Sequence, residues 1–368
     1  MIIQQHQWDL PEMLPGKLEG AEYGYVLGGR AFASTREELI GLVQRAEKLR
    51  FVWTPDSPEL VYPETVPFLL DALRTDHRKA GRIAIFWASV FVAAAIVIAF
   101  LAHEWRLLYR NFFFVLGAVF VTEGILAYWR ARHYTPSDAI SDRSTARFGT
   151  WLKEKKLSAY SLTLLACIIV VGIVQPISGN SVKIAGLVKP AVRNGEIWRL
   201  FTATLMHANI THFWMNSLAL IFLSKVIEHT VQRAFVPLIF LLTAPVGSLF
   251  SVFLYPNTTS IGASGGIMGL LGFITIAAYF DRTRYPPKYF RHMIEAIVST
   301  GALGLFGFAF IDNAAHLGGL VGGLVLGWFL FKNERWIKEK EKLFNYAGVA
   351  VLFVLGFIAG FAVHRLLR

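Results

Sequence analysis

Residues 261–280 read IGASGGIMGLLGFITIAAYF, in which a serine framed by glycines stands directly before an uncharged apolar segment. Gly262, Ser264 and Gly266 form the pattern G-x-S-x-G, which is typical of a nucleophile, and no charged residue follows until Asp281. A continuous apolar segment of this length indicates a helix buried in a protein core or in a membrane. The stretch therefore predicts a candidate nucleophile at the head of a buried helix.

The composition of the whole chain favours the membrane. Of its 368 residues, 55% are hydrophobic and 17% are charged, whereas soluble domains average about 25% charged residues. The uncharged segment 83–102 is long enough as a helix to cross a hydrocarbon core of about 30 Å. Buried helices of a soluble protein would explain one or two such segments, but not nine. The predicted membrane spans are 83–102, 112–129, 159–176, 212–224, 234–255, 264–280, 293–310, 314–331 and 346–363.

The positive charges predict the orientation. If all nine spans exist, the segments rich in Lys and Arg fall on one side of the membrane: 74–82, 130–157, 281–292 and 332–342. Cytoplasmic loops carry such an excess, which predicts a cytoplasmic N-terminus and places Ser264 near the opposite face. The net charge of +11 would also suit a nucleic-acid-binding protein. Basic loops of a membrane protein explain the charge better, so we expect no nucleic-acid partner.

Three further sequence features bear on a signal peptide, on the chemistry of cysteine and on the longest segment between two spans. The N-terminal sequence MIIQQHQWDLPEM lacks the basic and apolar regions of a signal peptide, so we expect none. Cys167 is the single cysteine, which excludes a disulfide within the chain and disfavours zinc–thiolate chemistry. The long semi-apolar segment 177–211 is predicted to lie along the membrane interface rather than to form a free loop.

Residues 1–80 are predicted to form a small soluble cytoplasmic α/β module, which has a possible cytoplasmic partner. YGYVLGG and FVWTP are typical of short strands. The segment STREELIGLVQRAEKLR between them begins with a capping box, formed by Ser34 with Glu37 or by Thr35 with Glu38, ahead of an amphipathic helix. ETVPFLLDALR predicts a second helix. The other predicted parts are an extra transmembrane pair with a basic linker, a six-helix core, and a basic loop with one more span: 81–157, 158–331 and 332–368.

The G-x-S-x-G pattern also marks the nucleophile elbow of soluble α/β-hydrolases, which needs a strand before the serine and an acid and a histidine after it. Asp312 and His316 follow Ser264 in that order. The 52 residues from Ser264 to His316 consist mostly of two apolar spans and a basic loop. Because a sheet has no place there, the hydropathy excludes the elbow.

A serine–histidine pair inside the membrane fits the pattern better. Ser264 and His316 begin two spans that start on the same side, and a neutral imidazole is a suitable base for a serine nucleophile. Small residues spaced four apart let helix backbones approach closely, and both spans carry them. The small residues include Gly262, Gly265, Gly319 and Gly323. Taken alone, these glycines would equally suit helix packing in a transporter.

A third span carries candidate donors for an oxyanion. In HANITHFWMNS, His212 and Asn216 are four residues apart and therefore share one face of a helix. An Asn amide, a His N–H and the backbone N–H of Ser264 could stabilise the charge of an acyl-transfer intermediate. A polar pair inside a span could instead make a hydrogen bond between helices, and His207 is predicted to be structural.

These segments resemble, in order, four motifs of the rhomboid family of intramembrane serine proteases. GEIWRL, with Trp198 and Arg199, is similar to the first loop of the family. HANITHFWMN resembles its H-x4-H-x3-N segment, GASG its nucleophile motif, and NAAHLGGLVGG its AHxxGxxxG motif. The resemblance covers roughly residues 158–331 and implies structural roles for Trp198, Arg199 and the four glycines named above.

The resemblance implies an all-α polytopic membrane protein with a six-helix core. Two extra N-terminal helices, one extra C-terminal transmembrane helix and the soluble module would be added to that core. It implies a catalytic dyad of Ser264 and His316, and an oxyanion site formed by Asn216, His212 and the Ser264 backbone. The implied substrates are transmembrane proteins in the lipid bilayer, with no metal or organic cofactor. The implied location is the bacterial cell membrane.

Several residues depart from the family pattern or lie outside it. Met268 occupies the place where many bacterial members carry an aromatic residue against the histidine, and a thioether orients the ring less rigidly. Asp312 could be a triad acid, but we predict that it caps the helix of His316. Glu123 lies inside a span and is a candidate for contact between the extra helices and the core.

Two alternatives to a protease remain at the level of sequence. One is a rhomboid-like adaptor with little or no proteolysis, which the intact Ser264 and His316 motifs disfavour. The other is a transporter. Transporters commonly show an inverted repeat, and the absence of an evident one among the predicted spans disfavours this alternative. For a protease, the polar segment YPNTTSIGA predicts a water-filled pocket at Ser264. The Gly- and Phe-rich span 293–310 is the candidate gate for substrate.

Overall fold

The structure is a computed structural model, and it describes residues 16–44, 49, 51–108, 112–308, 311–332, 337 and 339–368. The helices are α1 (Arg36–Gln44), α2 (Pro67–Leu101), α3 (Phe112–His133), α4 (Pro136–Glu154), α5 (Ala159–Val174), α6 (Ser181–Ala185), α7 (Lys189–Arg193), α8 (Arg199–Thr202), α9 (Ile210–Thr230), α10 (Phe235–Leu254), α11 (Ser264–Phe280), α12 (Tyr289–Phe306), α13 (Asn313–Phe331) and α14 (Glu341–Leu367). The strands are β1 (Tyr23–Leu27), β2 (Arg30–Ser34), β3 (Phe51–Thr54), β4 (Ser57–Val61), β5 (Leu187–Val188) and β6 (Thr259–Ser260).

The helices confirm a polytopic membrane protein. Within the described residues, seven helices are long and apolar enough to cross a membrane: α2, α3, α5, α9, α10, α13 and α14. The other two predicted spans correspond to the 17-residue α11 and the 18-residue α12. The predicted span 293–310 begins earlier, at Tyr289, and its last two residues lie outside the described residues. Neighbouring helices bury most residues of α11. This burial explains why the short helix is apolar around its whole circumference.

The chain divides into two compact units. The first unit comprises the described residues of Met1–Gly149, Pro286–Lys288 and Val298–Ala309. The second comprises those of Thr150–Tyr285, Tyr289–Ile297 and Phe310–Arg368. Helix α12 therefore contributes residues to both units.

The first unit begins with the predicted strands and helix. The strands form an antiparallel sheet in the order β2-β1-β3-β4, with α1 packed on it through Leu39 and Leu42. Of the two predicted capping boxes, that of Thr35 with Glu38 is present: the Thr35 N–H donates to Glu38 Oε2 at 3.0 Å, and the Glu38 N–H donates to Thr35 Oγ1 at 3.2 Å. These reciprocal bonds satisfy two of the amide groups that a helix start leaves unpaired.

The predicted second helix of the module and the first predicted membrane span form one continuous helix. Helix α2 runs without interruption for 35 residues and crosses the predicted boundary between residues 80 and 81. Pro67 begins the helix, where a proline costs no hydrogen bond, and no later proline interrupts it. The change from polar to apolar residues near 80 therefore marks a change of surroundings along one helix.

Helices α2 and α3 pack closely through small residues. A Cβ at Gly124 would lie 2.8 Å from Ile85 Cγ1, and one at Gly117 would lie 3.3 Å from the Ala88 carbonyl oxygen. Small residues at such contacts let helix backbones approach each other. Glu123 of α3 accepts a hydrogen bond from Ser299 Oγ of α12 at 3.2 Å. This bond is the predicted kind of contact between an extra helix and a helix of the predicted core.

The basic linker is not a loop, because most of it forms α4. Two long-range ion pairs and one local hydrogen bond of the first unit hold this helix and the turn before it. Arg143 forms an ion pair with the buried Glu64, and Lys288 Nζ lies 2.7 Å from Asp138 Oδ1. The Tyr134 hydroxyl donates to Asp142 Oδ2 at 2.8 Å. The ion-pair partners of α4, Glu64 and Lys288, are distant in sequence, so local pattern alone did not predict the helix.

In the second unit, segment 177–211 folds into short helices instead of a single amphipathic stretch. It contains α6, β5, α7 and α8, and β5 pairs with β6 just before the serine motif. A small apolar cluster underlies it: Leu187, Val192, Leu200, Ala203 and Val252. This cluster fixes the segment against the end of α10 and against the strand that leads to Ser264.

Candidate active site

Ser264 is the first residue of α11 and follows a backbone turn that requires glycine. Gly262 has φ of 144°, a region that other residues rarely adopt, and its N–H donates to the Ala203 carbonyl at 2.9 Å. A Cβ at Gly262 would lie 3.1 Å from His212 Nε2 and 3.7 Å from Ser264 Oγ. The imidazole of His212 and the hydroxyl of Ser264 therefore border the same small space.

Helix α9 carries the predicted oxyanion donors. Asn209 caps the helix and accepts from the His212 N–H at 2.8 Å. His212 Nδ1 accepts from the Ala208 N–H at 3.5 Å, which assigns the proton of the neutral ring to Nε2, the nitrogen that faces Gly262. The buried Asn216 donates one amide hydrogen to the His212 carbonyl at 2.9 Å, and its second amide hydrogen is not engaged by that bond.

His316 lies in the first turn of α13. Its backbone N–H donates to the Asp312 carbonyl at 3.1 Å, and its side chain is partly buried. Asp312 is the N-cap of the same helix, and His212 lies in the first turn of α9. The structure thus places both histidines and Ser264 at the same end of three neighbouring helices.

Asp312 is the N-cap of α13, as the sequence predicted. Its side chain accepts from the Ala315 N–H at 3.0 Å. Burial raises the pKa of Asp312, but hydrogen bonds from Ser251, Ser260 and Ala315, with the charge of Lys189, hold it below its ordinary value. The carboxylate is therefore ionised at neutral pH.

Helices α11 and α13 meet backbone to backbone. A Cβ at Gly319 would lie 1.9 Å from the Gly265 carbonyl oxygen, and one at Gly323 would lie 2.0 Å from the Gly269 carbonyl oxygen. No side chain fits between the two helices at either point. The glycines that the sequence singled out are therefore the contact that brings the helix of Ser264 next to the helix of His316.

Trp198 and Arg199 are not at the candidate site but hold the segment that precedes α9. The buried Arg199 donates to the Gly186 carbonyl at 2.9 Å and pairs with Glu196 at 2.7 Å. Its guanidinium carbon lies 4.5 Å from the centre of the Trp198 ring, and that of Arg365 in α14 lies 5.1 Å from the same centre. The extra C-terminal helix therefore takes part in fixing this segment.

His207 packs directly against the site. Its ring centre lies 5.2 Å from that of His212, and its backbone exchanges two hydrogen bonds with the Gln175 side chain, at 2.7 and 2.9 Å. Burial, with the nearby His212, lowers the pKa of His207 to about 4, so the ring is neutral at neutral pH. These contacts fit the structural role that was predicted for it.

Three residues that no sequence motif marks also support the site: Gln175, Lys189 and Ser260. Gln175 fixes His207, and Lys189 and Ser260 contact the carboxylate of Asp312. No motif marks them, because each acts on a partner far away in the chain. A lysine inside a semi-apolar segment was the single available signal, since a buried lysine requires a negative partner.

Comparison with known proteins finds relatives of the segment that contains the candidate site. The family model of the Rhomboid domain matches residues 194–333, which include every candidate catalytic and oxyanion residue. The chain is 29% identical over 187 residues to RHOMBOID-like protein 4 of Arabidopsis thaliana, which covers 47% of this chain and 48% of that protein. It is 37% identical over 134 residues to the rhomboid protease GluP of Bacillus subtilis, which covers 36% of this chain and 26% of that protein.

Coverage of the relatives varies. The alignments span about half the length of the Arabidopsis RHOMBOID-like proteins 4 and 1, with 48% and 50% covered. The rhomboid protein YdcA of Bacillus subtilis is 32% identical over 146 residues, which are 39% of this chain and 73% of that protein. Since the motifs, the helices and a relative matched over most of its length agree, the chain is an integral multi-pass membrane protein that belongs to the rhomboid family.

Proposed function

We propose that this chain is an intramembrane serine endopeptidase that hydrolyses peptide bonds in or near transmembrane segments of membrane proteins. The observation that carries the proposal is the backbone contact of α11 with α13 through Gly265 and Gly319. That contact sets the helix headed by Ser264 beside the helix that carries His316. The basic segments on one side support a cytoplasmic N-terminus and a site near the opposite face of the cell membrane.

The proposed reaction uses Ser264 as the nucleophile and His316 as the base. The imidazole takes the proton of the Ser264 hydroxyl while its oxygen attacks the scissile carbonyl carbon. The protonated ring then gives that proton to the leaving amine. The same imidazole then takes a proton from a water molecule, whose oxygen attacks the acyl carbon, and it returns that proton to the Ser264 oxygen as the ester bond breaks.

The proposed oxyanion site is formed around His212. Its Nε2–H, the free amide hydrogen of Asn216 and the backbone N–H of Ser264 would donate to the negative oxygen of the tetrahedral intermediate. Support comes from the tautomer of His212, because its Nδ1 accepts from Ala208 and leaves the proton on the nitrogen facing Gly262.

Incubating the purified chain with a labelled single-span substrate in detergent or liposomes tests the proposal. We expect two fragments, with the cut near the end of the span that lies on the side of Ser264. The rhomboid-like adaptor is the alternative, and it predicts binding of the substrate without fragments. Entry of substrate past α12 and a water-filled pocket at Ser264 stay predictions.

Replacing Asn216 with alanine is expected to lower kcat by about 10²–10³-fold with little change in KM, because an oxyanion donor acts in the transition state. The control is Thr275→Val, since Thr275 likewise bonds the carbonyl four residues earlier in its helix, at 2.8 Å, but lies far from Ser264. Equal losses of thermal stability with normal turnover in both variants would show that Asn216 serves its helix alone.

A further inference from the structure

A buried ion pair lies at the head of α13. Lys189 Nζ is 3.7 Å from Asp312 Oδ2, with the lysine side chain fully buried and the aspartate side chain 17% exposed. Burying two charges is costly unless hydrogen bonds offset the loss of water, and both charged groups make such bonds here. Lys189 donates to Thr258 Oγ1 at 2.5 Å, and its ammonium lies 5.7 Å from the centre of the Tyr255 ring.

The Asp312 carboxylate joins three parts of the chain. Oδ1 accepts from the Ala315 N–H at the start of α13, at 3.0 Å. Oδ2 accepts from Ser260 Oγ of strand β6, at 2.5 Å, and from Ser251 Oγ near the end of α10. These bonds engage both carboxylate oxygens and hold the carboxylate against β6, α10 and the start of α13.

The joined segments are those that deliver the two candidate catalytic groups. Ser260 stands four residues before Ser264, and its strand pairs with β5, which ends directly before Lys189. His316 stands four residues after Asp312, and its N–H bonds the Asp312 carbonyl at 3.1 Å. One carboxylate therefore ties the approach to the nucleophile to the first turn of the helix that carries the base.

We propose that Asp312, held by the buried Lys189, is a positioning residue that sets the separation between Ser264 and His316. This inference rests on the proposed peptidase activity. A helix cap requires the bond to Ala315 alone, whereas Lys189 and Ser260 add a costly buried charge and a link to another segment. That added link acts on the relative position of strand β6 and helix α13.

Two serine-to-alanine variants separate positioning from stability. Ser260→Ala and Ser251→Ala each remove one hydroxyl that donates to the same carboxylate oxygen, but Ser260 alone lies on the segment of Ser264. We expect Ser260→Ala to lower kcat by about tenfold with KM unchanged, since a shift of about 1 Å costs on the order of 10²-fold. Ser251→Ala should keep kcat within about twofold, with a comparable loss of melting temperature.

The ion pair is tested by Asp312→Asn, which keeps an acceptor for Ala315 but leaves Lys189 without a counter-charge. We expect kcat to fall by at least about tenfold, and Lys189→Met added to it to recover part of the loss, since the uncompensated buried charge is then gone. The control is Asp138→Asn, because Asp138 also lies at a helix start and pairs with a lysine, Lys288, at 2.7 Å. That variant should cleave normally.

The outcomes separate this inference from the proposed function. Cleavage by the wild-type chain with equal kcat in Ser260→Ala and Ser251→Ala overturns the positioning role alone. So does an Asp312→Asn variant that loses melting temperature and keeps the wild-type kcat. Absence of cleavage by the wild-type chain overturns the proposed function and the inference that rests on it.

Discussion

Ser264→Ala is expected to abolish cleavage of a single-span substrate while leaving the protein folded in the membrane. The alanine removes the oxygen that forms the acyl-enzyme, and no neighbouring group replaces it. We expect the rate to fall by more than about 10⁴-fold, to a background set by the oxyanion donors. The rate is measured as fragment formation at a fixed enzyme concentration, and folding is measured as the melting temperature.

The same prediction extends to His316 and to the pair. His316→Ala should reduce cleavage as strongly as Ser264→Ala, and the double variant should be no worse than either single one. Groups that act as one unit give strongly non-additive losses, because removing the first already ends their joint action. Losses that multiply would instead indicate two independent contributions.

A matched control is available on another membrane helix. Ser224 is fully buried in α9, so Ser224→Ala removes a buried serine hydroxyl without touching the candidate site. It should cleave at the wild-type rate. Substantial cleavage by Ser264→Ala would exclude Ser264 as the nucleophile, whatever the control shows.

Local patterns in the sequence predicted those parts of the fold that local interactions determine. The capping box of Thr35 and Glu38 joins residues three apart. The strands that contain Val26 and Val52 were recognisable from their own β-branched and aromatic residues, although they pair with each other across the intervening helix α1. The membrane helices followed from hydropathy, because the bilayer demands long apolar segments whatever their partners. Membership of the family followed from motifs that lie at the heads of those helices.

Helix α4 could not be predicted in the same way. Its many charged residues make the periodic spacing of its apolar residues hard to recognise. The ion pairs that hold it come from Glu64 and Lys288, which are far away in the chain. The continuity of α2 was missed for a related reason. A change of composition looks like a boundary, although a helix needs no break to pass from polar to apolar surroundings.

At the candidate site, the sequence indicated the residues but not how they are supported. Ser264, His316, His212 and Asn216 stand in recognisable motifs, and the structure brings them to one end of α9, α11 and α13. Their supports are long-range: Gln175 holds His207, and Lys189 pairs with Asp312. A pairing of that kind leaves no periodic signal, so a structure was needed to find it.

Gly319→Ala is expected to impair both cleavage and stability, although it adds one carbon and touches no substrate. The new Cβ would lie 1.9 Å from the Gly265 carbonyl oxygen, and the obstacle is backbone that cannot rotate away. Restoring an ordinary carbon–oxygen separation of about 3.3 Å requires the helices to move apart by more than about 1 Å. Such a shift costs on the order of 10²-fold in rate, and overpacking costs about 1–3 kcal/mol of stability.

Gly322→Ala is the matched control, because it adds the same carbon to the same helix. Its Cβ would lie 3.4 Å from Thr243 Cγ2, an ordinary contact with a side chain. Alanine is preferred over glycine inside a helix by about 1 kcal/mol, so this variant should melt at the same temperature or higher and cleave normally. The two substitutions therefore have opposite expected effects on stability. If alanine destabilised α13 at every position, both variants would lose stability instead.

The expected effect on cleavage decreases for glycines of α13 that lie farther from His316. Gly323→Ala places its Cβ 2.0 Å from the Gly269 carbonyl oxygen, one turn farther from His316, and should resemble Gly319→Ala in stability. Gly327→Ala meets Ile276 Cβ at 3.0 Å and should affect stability more than turnover, since it acts far from the dyad. If Gly319→Ala cleaves and melts like the wild type, α11 and α13 do not meet through these glycines. The dyad would then need another means of bringing its two groups together.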